Sequence, residues 1–537
     1  MNSRLRTAAV RLAGPRSRDR AGDAKARCAI GVAWLAIVAC ASARHAPWRD
    51  EVRALSLALQ GDDLGDMLRA VHGDGHPLLW YLLLRGAHAI VGVPQVLPAV
   101  ALLVAAGAIG LLLWKAPFGW PLLALVALSN FGVWEYAVTA RNYGISMLVM
   151  FAFAAGYERW RHSGWRVGLC LALLANTNVH SAVLAGALGL FWAVDLARSP
   201  AAGVRAWRER LIAGAGWCAG VAACAATVFP TFNDSALAVH PARGLWDVLG
   251  AAFDPAPQFR ALVLDPWQPH APTFDAAAGL AMSGVMLLCL LGLAARRGAV
   301  LAGVAGLVGL SELFCLVYHG EYRHQALWLV FMVTLYWICA GAREPLPVAR
   351  SSGPVRALAA AGQGAFVLLL ALQLPGTGAT LAGLAPGAPP WSGSARLGAF
   401  VRARPELAEA ALLADPDYML ESLAYTLPGH PLWLMREGRF GNAVRFTQSA
   451  RLRLALDDVL AQARAVRART GRPVIILVSA PLADVRAAAV VQEGYTWELA
   501  LDPAQVARFA AATRLVLAAA PAGSDERYDA YLLNAPD

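Results

Sequence analysis

Apolar runs separated by short polar breaks dominate the first two-thirds of the chain. Those near 28–46, 96–114, 119–134, 143–159, 166–179, 181–197, 211–230, 275–294, 298–317, 325–341 and 356–373 read as helices able to cross about 30 Å of hydrocarbon. The run 77–93 is as apolar, but Arg85 and His88 lie near its middle on one helix face, where lipid would penalise them. Counted as a crossing from an interior N-terminus, it puts Lys115, the Arg159/Arg161/Arg166 cluster and the Arg198/Arg205/Arg208/Arg210 cluster outside. Counted as a helix lying on the exterior surface, it puts all of these in the cytoplasm, together with Arg296/Arg297 and Arg343/Arg350/Arg356, as the positive-inside rule requires. The second count gives a polytopic α-helical membrane domain over 28–373 with about eleven spans. Its exterior segments are 47–95, 135–142, 176–180, 231–274 and 318–324. Within the first, Leu64, Met67, Leu68 and Val71 repeat as one face of a short amphipathic helix lying along the membrane.

From 374 to 394 glycine and proline accumulate, which predicts a linker. Beyond it, strand-like runs at 411–414, 431–435, 474–479 and 515–519 alternate with helical stretches such as 450–470, which Gly471 closes. Residues 395–537 are therefore expected to form a small extramembrane α/β domain. Gly438 and Gly441 do not have the spacing of a phosphate-binding fingerprint, so binding or a structural role is the expectation there. No repeat of solenoid or propeller period is present.

Composition agrees with the pattern: 58% of the 537 residues are hydrophobic and only 15% charged, with a mean hydropathy of +0.49. The formal charge of +10 does not indicate nucleic acid. Much of it sits at Arg4, Arg6, Arg11, Arg16, Arg18, Arg20, Lys25 and Arg27, in an arm over 1–27 that reads as a cytoplasmic topology signal. A cleaved signal peptide fits less well, because the charged region is long and further spans follow. All the cysteines fall in or beside predicted spans, so neither a disulfide framework nor a thiolate metal site is expected.

The unusual polar residues collect on the exterior side. Asp50 and Glu51, in Ala46-Pro47-Trp48-Arg49-Asp50-Glu51, stand where the first span meets the exterior. They suit a divalent cation (Mg or Mn) held through Asp50 or the deprotonation of an attacking hydroxyl, but also a helix start in which acids complement the dipole. His76 precedes Pro77, either as a site residue or as the start of an interfacial helix with proline in its first turn. In Trp134-Glu135-Tyr136-Ala137-Val138-Thr139-Ala140-Arg141-Asn142-Tyr143, Arg141 offers a planar fork for a phosphate or a snorkelling anchor. His180 and the run Glu321-Tyr322-Arg323-His324 lie on the same side. Each cluster has a bland reading, and their convergence on one face favours a site.

The order of span, acidic pair, amphipathic loop, His76-Pro77-Leu78-Leu79-Trp80-Tyr81 and then Tyr136-Ala137-Val138-Thr139-Ala140-Arg141-Asn142-Tyr143 resembles the GT-C superfamily of polyprenyl-phosphate-sugar-dependent glycosyltransferases. Within it the likeness is to family-39-like bacterial members, related to protein O-mannosyltransferases and aminoarabinose transferases, and it covers roughly 28–345. The resemblance implies an inverting transferase in a bacterial inner membrane, with its N-terminus cytoplasmic and its C-terminal domain periplasmic. It implies Asp50 as base or metal-binding carboxylate with Glu51 beside it. Arg141, Arg323 and His324 would handle the lipid phosphate, and His76, Tyr136, Tyr143 and His180 would complete the substrate site. The partners would be a polyprenyl-phosphate sugar, membrane lipid and a glycan, lipid or protein acceptor. One departure is Thr139, where relatives often carry an acid; Glu135 is the nearest carboxylate. A secondary transporter would place its charges nearer the bilayer midplane, and a non-catalytic lipid-glycan binding protein is the remaining alternative.

Overall fold

The computed structural model describes residues 20–197, 204–229, 244–265, 275–294, 296–341, 353–388, 390–519 and 524–535. The basic arm up to residue 19, Arg198, Arg343, Arg350 and the loop stretches 231–243 and 266–274 lie outside the described residues. A helix lies within every stretch expected to span. Six helices are long and apolar enough to cross a membrane, or seven if the bent pair Trp120–Ala127 and Phe131–Val138 counts as one span. The criterion is thus met by fewer helices than the eleven stretches; Gly164–Ala175 and Ala276–Leu291, for example, are apolar but short. These helices mark the chain as a membrane protein.

The first span, α1 (Arg20–Arg44), ends at a turn from which three short helices follow: α2 (Arg49–Ala58), α3 (Leu64–Val71) and α4 (Leu79–Val91). Asp63 caps α3, accepting the Asp66 N–H at 2.8 Å, and of the expected stripe Met67 and Val71 are buried while Leu64 and Leu68 are exposed. α4 has 13 residues, about 20 Å at 1.5 Å per residue, too short for the bilayer core. Arg85 on α4 donates to the carbonyls of Ala58 at 2.9 Å, Gln60 at 3.1 Å and Gly61 at 3.2 Å. The charge that argued against a crossing therefore closes the C-terminal end of α2, where carbonyls lack helical partners and a cation is favoured.

Phe131–Val138 is a π-helix, bent 42° from the helix before it. The break starts at Ser129, whose hydroxyl donates to Val126 O at 2.7 Å and accepts the Gly132 N–H at 3.1 Å. A Cβ at Gly132 would lie 2.6 Å from Val126 O, so only glycine lets the two segments meet this closely.

Leu374–Ala382, within the expected linker, is helical, and Pro375 is tolerated because it falls in the first turn. The domain beyond contains β1 (Ala411–Asp415), β2 (Leu432–Leu434), β3 (Arg439–Phe440), β4 (Arg453–Ala455), β5 (Val474–Val478), β6 (Ala489–Gln492), β7 (Glu498–Leu501), β8 (Thr513–Ala519) and β9 (Tyr528–Leu533). One sheet runs β3-β2-β1-β5-β9-β8, parallel at β1–β2 and β1–β5, and a smaller one runs β4-β7-β6. Leu397 and Val401 of helix Gly393–Arg402 pack on one face of the main sheet, and Val459, Leu460, Ala463 and Val466 of helix Leu456–Thr470 on the other. This part of the chain is thus a strand-containing domain with helices against both faces of its main sheet. The helix expected over 450–470 starts later, because Asp458 accepts the Ala455 N–H at 2.9 Å and caps it there; Gly471 ends it at φ +69°.

Replacing Arg85 should discriminate a surface helix from a crossing one. Arg85→Leu is expected to lower stability by about 2 kcal/mol as the α2 carbonyls lose their donor, read as a lower unfolding midpoint of the purified protein in detergent. A rise in the midpoint would instead mean that lipid-like surroundings had penalised the charge.

Candidate functional site

The start of α2, the segment leading into α4, the π-helix with the segment after it, residues 318–323 and the C-terminal domain together line a cavity of about 760 Å³. This volume suits a small ligand such as one or two sugar rings. α2 is positioned by its buried face, where Val52, Leu55 and Ala58 pack with Met67, Val71, Trp80 and Leu84 and, from the C-terminal domain, Ala443. Its first turn then exposes Arg49, Asp50 and Arg53 to the cavity.

Asp50 is the centre of the arrangement. Its Oδ2 accepts from Arg141 Nη1, with Arg323 Nη2 at 3.8 Å and Arg49 Nε 3.6 Å from Oδ1. Burial alone would raise its carboxyl, but the guanidiniums of Arg141, Arg49 and Arg323 outweigh it and hold Asp50 well below the usual carboxylate range. Arg141 Nη2 lies 3.1 Å from His76 Nε2, and His76 Nδ1 lies 3.7 Å from Asp74 Oδ2. Asp74 also accepts from Tyr81 and from Arg53 Nε at 2.6 Å. Burial pushes Asp74 up, but Arg53 and then His76 and Tyr81 bring it down to about 2.

Of the residues expected from sequence, Asp50, His76, Arg141 and Arg323 line the cavity. Glu51 does not: it is fully buried, with Oε1 accepting the Trp48 N–H at 3.1 Å and 2.7 Å from His45, and Oε2 accepting the Ala140 N–H at 2.6 Å. It starts the helix and fastens the Arg141 segment to α2, as the helix-start reading had it. Tyr136 and Tyr143 stand behind the wall, their rings stacked at 6.0 Å. Tyr136 donates to Arg323 O at 2.7 Å, and Tyr143 lies under the Arg141 guanidinium at 5.8 Å. His180 and His324 form a buried ring pair at 4.8 Å. His324 Nδ1 accepts the Glu321 N–H at 2.9 Å, which starts the turn that presents Arg323. Burial, then His180, Arg323 and Arg141, push His324 well below its ordinary value, so it stands neutral behind the arginines. These four position the lining residues and do not line the cavity themselves.

Thr139 is buried and outside the wall, whereas Glu135, on the π-helix, lines it. Five-residue turns rotate side chains relative to an α-helix, and such turns recur at functional sites. Sequence reasoning missed Arg49, Arg53 and Asp74 as site residues, although each lies within three residues of Asp50 or His76. It also missed Tyr418, Glu421, Phe446 and Asp525 of the C-terminal domain, for which no local signal exists. Arg53 Nη1 pairs with Glu421 and donates to Val444 O at 2.8 Å. Arg49 pairs with both oxygens of Asp525, and its backbone N–H donates to Glu526 at 2.7 Å. Burial raises Glu421 to about 7 in spite of Arg53.

Among the described residues no group of three or more His, Cys, Asp or Glu is placed to hold a metal ion. Three guanidiniums around Asp50 oppose a divalent cation there, so the residues present do not fit one in this arrangement. No family model matches the chain, and neither a curated protein nor a solved structure does.

The Asp74 pair gives the fold a definite acid limb. A carboxyl near 3.9 when unfolded and about 2 when folded stabilises above its unfolded value and loses that contribution as pH falls through its folded one. Asp74→Asn should therefore lower the thermal midpoint at pH 6, by an amount corresponding to about 3 kcal/mol. Its gap from the unsubstituted protein should shrink as pH falls from about 4 to about 2. A gap that does not change with pH would remove Asp74 as the titrating group.

Proposed function

We propose that the chain is a membrane glycosyltransferase that moves a sugar from a polyprenyl-phosphate donor to an acceptor hydroxyl at the exterior face. The observation that carries this reading is an ionised carboxylate, Asp50, set against Arg141 and Arg323 in one cavity beside the apolar helices. A base next to a two-guanidinium anion site is the minimum set for displacing a phosphate from a sugar carbon. The sequence resemblance to GT-C enzymes points the same way. Glycan or lipid modification in a bacterial cell envelope is the role in view.

In this mechanism the donor phosphate sits on Arg141 and Arg323, whose donors stabilise the charge that develops as the bond breaks. The acceptor oxygen attacks the anomeric carbon from the opposite side. A new carbon–oxygen bond forms, the bond to the phosphate oxygen breaks, and polyprenyl phosphate leaves with the electron pair. The acceptor proton passes to Asp50, and the configuration inverts. Phosphate and Asp50 compete for the same guanidiniums. Each one that turns to the donor weakens the hold that keeps Asp50 acidic, so the base strengthens when the donor is in place. Tyr136, Tyr143 and His324 keep the arginines aimed. No step is routed through a metal.

The positive-inside count of about eleven crossings supports a cavity and a C-terminal domain outside the cytoplasm. One observation favours a second reading: a bent helix pair with Glu135 on its second half resembles the discontinuous helices of secondary transporters. A cavity roofed by an extramembrane domain, with its arginines paired at one end of the helices, weighs toward transfer.

Membranes with matched amounts of protein should move labelled sugar from a polyprenyl-phosphate donor. Asp50→Asn should reduce that transfer about 10²- to 10⁴-fold, the range for loss of a general base. Equal transfer by both proteins would overturn the role of Asp50 and return transport or binding to the front. For orientation, alkaline phosphatase fused to the C-terminus should be active in intact cells; an inactive fusion of the full-length protein would reverse the topology.

A further inference from the structure

Arg49 and Asp50 are neighbours on the first turn of α2, with Arg49 Nε 3.6 Å from Asp50 Oδ1, and their other partners lie on different walls. Asp50 turns to Arg141 and Arg323 on the helical body, and Arg49 turns to Asp525 of the C-terminal domain. The Arg49 guanidinium also lies 5.0 Å from the ring centre of Tyr418, which lines the cavity from the same domain. On the helical body the cavity gathers four guanidiniums, Arg49, Arg53, Arg141 and Arg323, among carboxylates such as Asp50, Asp74 and Glu135. Its other half, on the C-terminal domain, is built of carboxylates and aromatic rings: Tyr418, Phe446, Glu421 and Asp525.

Resting on the transferase reading above, we propose that this second half is the acceptor subsite and that the acceptor is a saccharide. In a single displacement the nucleophile lies opposite the leaving group. With the phosphate on Arg141 and Arg323, a hydroxyl that reaches Asp50 from the far side comes from the wall formed by Tyr418 and Asp525. Carboxylates accept hydrogen bonds from sugar hydroxyls, and the aromatic rings offer apolar faces to the sugar's C–H groups. A peptide acceptor would call for a free strand edge or an apolar groove. The lining residues Tyr418, Glu421, Phe446, Gly494 and Asp525 all lie outside the strands. The volume of about 760 Å³ leaves room for an acceptor ring beside the donor sugar. The C-terminal domain is then part of the active site: it selects the acceptor while the helical body binds the donor.

The test uses the full-length protein, a labelled polyprenyl-phosphate sugar that the unsubstituted protein cleaves, and a panel of p-nitrophenyl mono- and disaccharides as acceptor probes. Water reaching the anomeric carbon releases free sugar and polyprenyl phosphate, so donor hydrolysis reports the first half of the site without the second. Tyr418→Ala removes a ring that also packs on Trp497 and Phe446. Asp525→Asn, at a side chain that is 58% exposed, leaves the core untouched. In both variants the acceptor KM should rise about tenfold or more, the worth of one hydrogen bond to a charged group, while the donor KM read from hydrolysis stays within about twofold. Transfer with an unchanged acceptor KM in Asp525→Asn and Tyr418→Ala would overturn the subsite. So would hydrolysis by the unsubstituted protein with no transfer to any saccharide of the panel. If no polyprenyl-phosphate sugar is cleaved at all, the transferase reading itself falls, and the subsite with it.

Discussion

Arg53 is buried between two carboxylates from distant parts of the chain, Asp74 between α3 and α4 and Glu421 in the C-terminal domain. A guanidinium so enclosed is tolerable only while its acids are in place, and removing one partner of such a pair typically costs about 3–5 kcal/mol. The two acids outnumber the one cation, so the site accommodates only one full negative charge easily. Asp74, closer to His76 and Tyr81, takes it, while Glu421 is raised to about 7. From Asp74 the chain of contacts continues through His76 and Arg141 to Asp50. Next to Asp50, Arg49 leads back to the C-terminal domain at Asp525. The same charges that form the cavity therefore fasten the domain to the helical body at both sides of it.

This coupling explains why the rings and histidines behind the wall are buried without lining it. An arginine aimed at an anion must be held against its own flexibility, and a mispositioned phosphate clamp loses most of its worth. Tyr136 holds the Arg323 backbone, Tyr143 lies beneath Arg141, and His324 opens the turn that carries Arg323. Glu51 contributes from the other side by holding Ala140, next to Arg141, against α2. Two adjacent acids thus divide the work: Asp50 faces the cavity and Glu51 sets the distance between the elements that form it.

The helices and much of the main sheet were legible because their signals are local. Apolar runs mark spans wherever they occur, and the β-branched run at 474–478 reads as a strand without its partners. The start of helix Leu456–Thr470 was not, since it depends on Asp458 reaching back to Ala455. Asp50, His76, Arg141 and Arg323 were legible as charges close to a membrane boundary. Arg49, Arg53 and Asp74 lie within three residues of Asp50 or His76 but look like ordinary solvated loop residues until a third element covers them. Glu421 is 368 positions from Arg53, and no pattern in either segment announces the other. Glu135 was visible as an acid, but the π-helix that places it in the wall depends on Ser129 and Gly132 meeting the preceding turn.

On the transferase reading proposed above, lining the cavity with a separate domain also bears on water. A donor with a good phosphate leaving group is open to hydrolysis wherever solvent reaches its anomeric carbon, and electrostatic stabilisation by Arg141 and Arg323 would assist water as readily as an acceptor. The arginines therefore give useful transfer only if the far side of Asp50 is filled by something other than bulk water. Tyr418, Phe446 and the Arg49–Asp525 pair occupy that side. Excluding solvent there strengthens each charge interaction inside the cavity. On that reading it would also make the arrival of an acceptor, rather than of water, the event that places a hydroxyl beside Asp50.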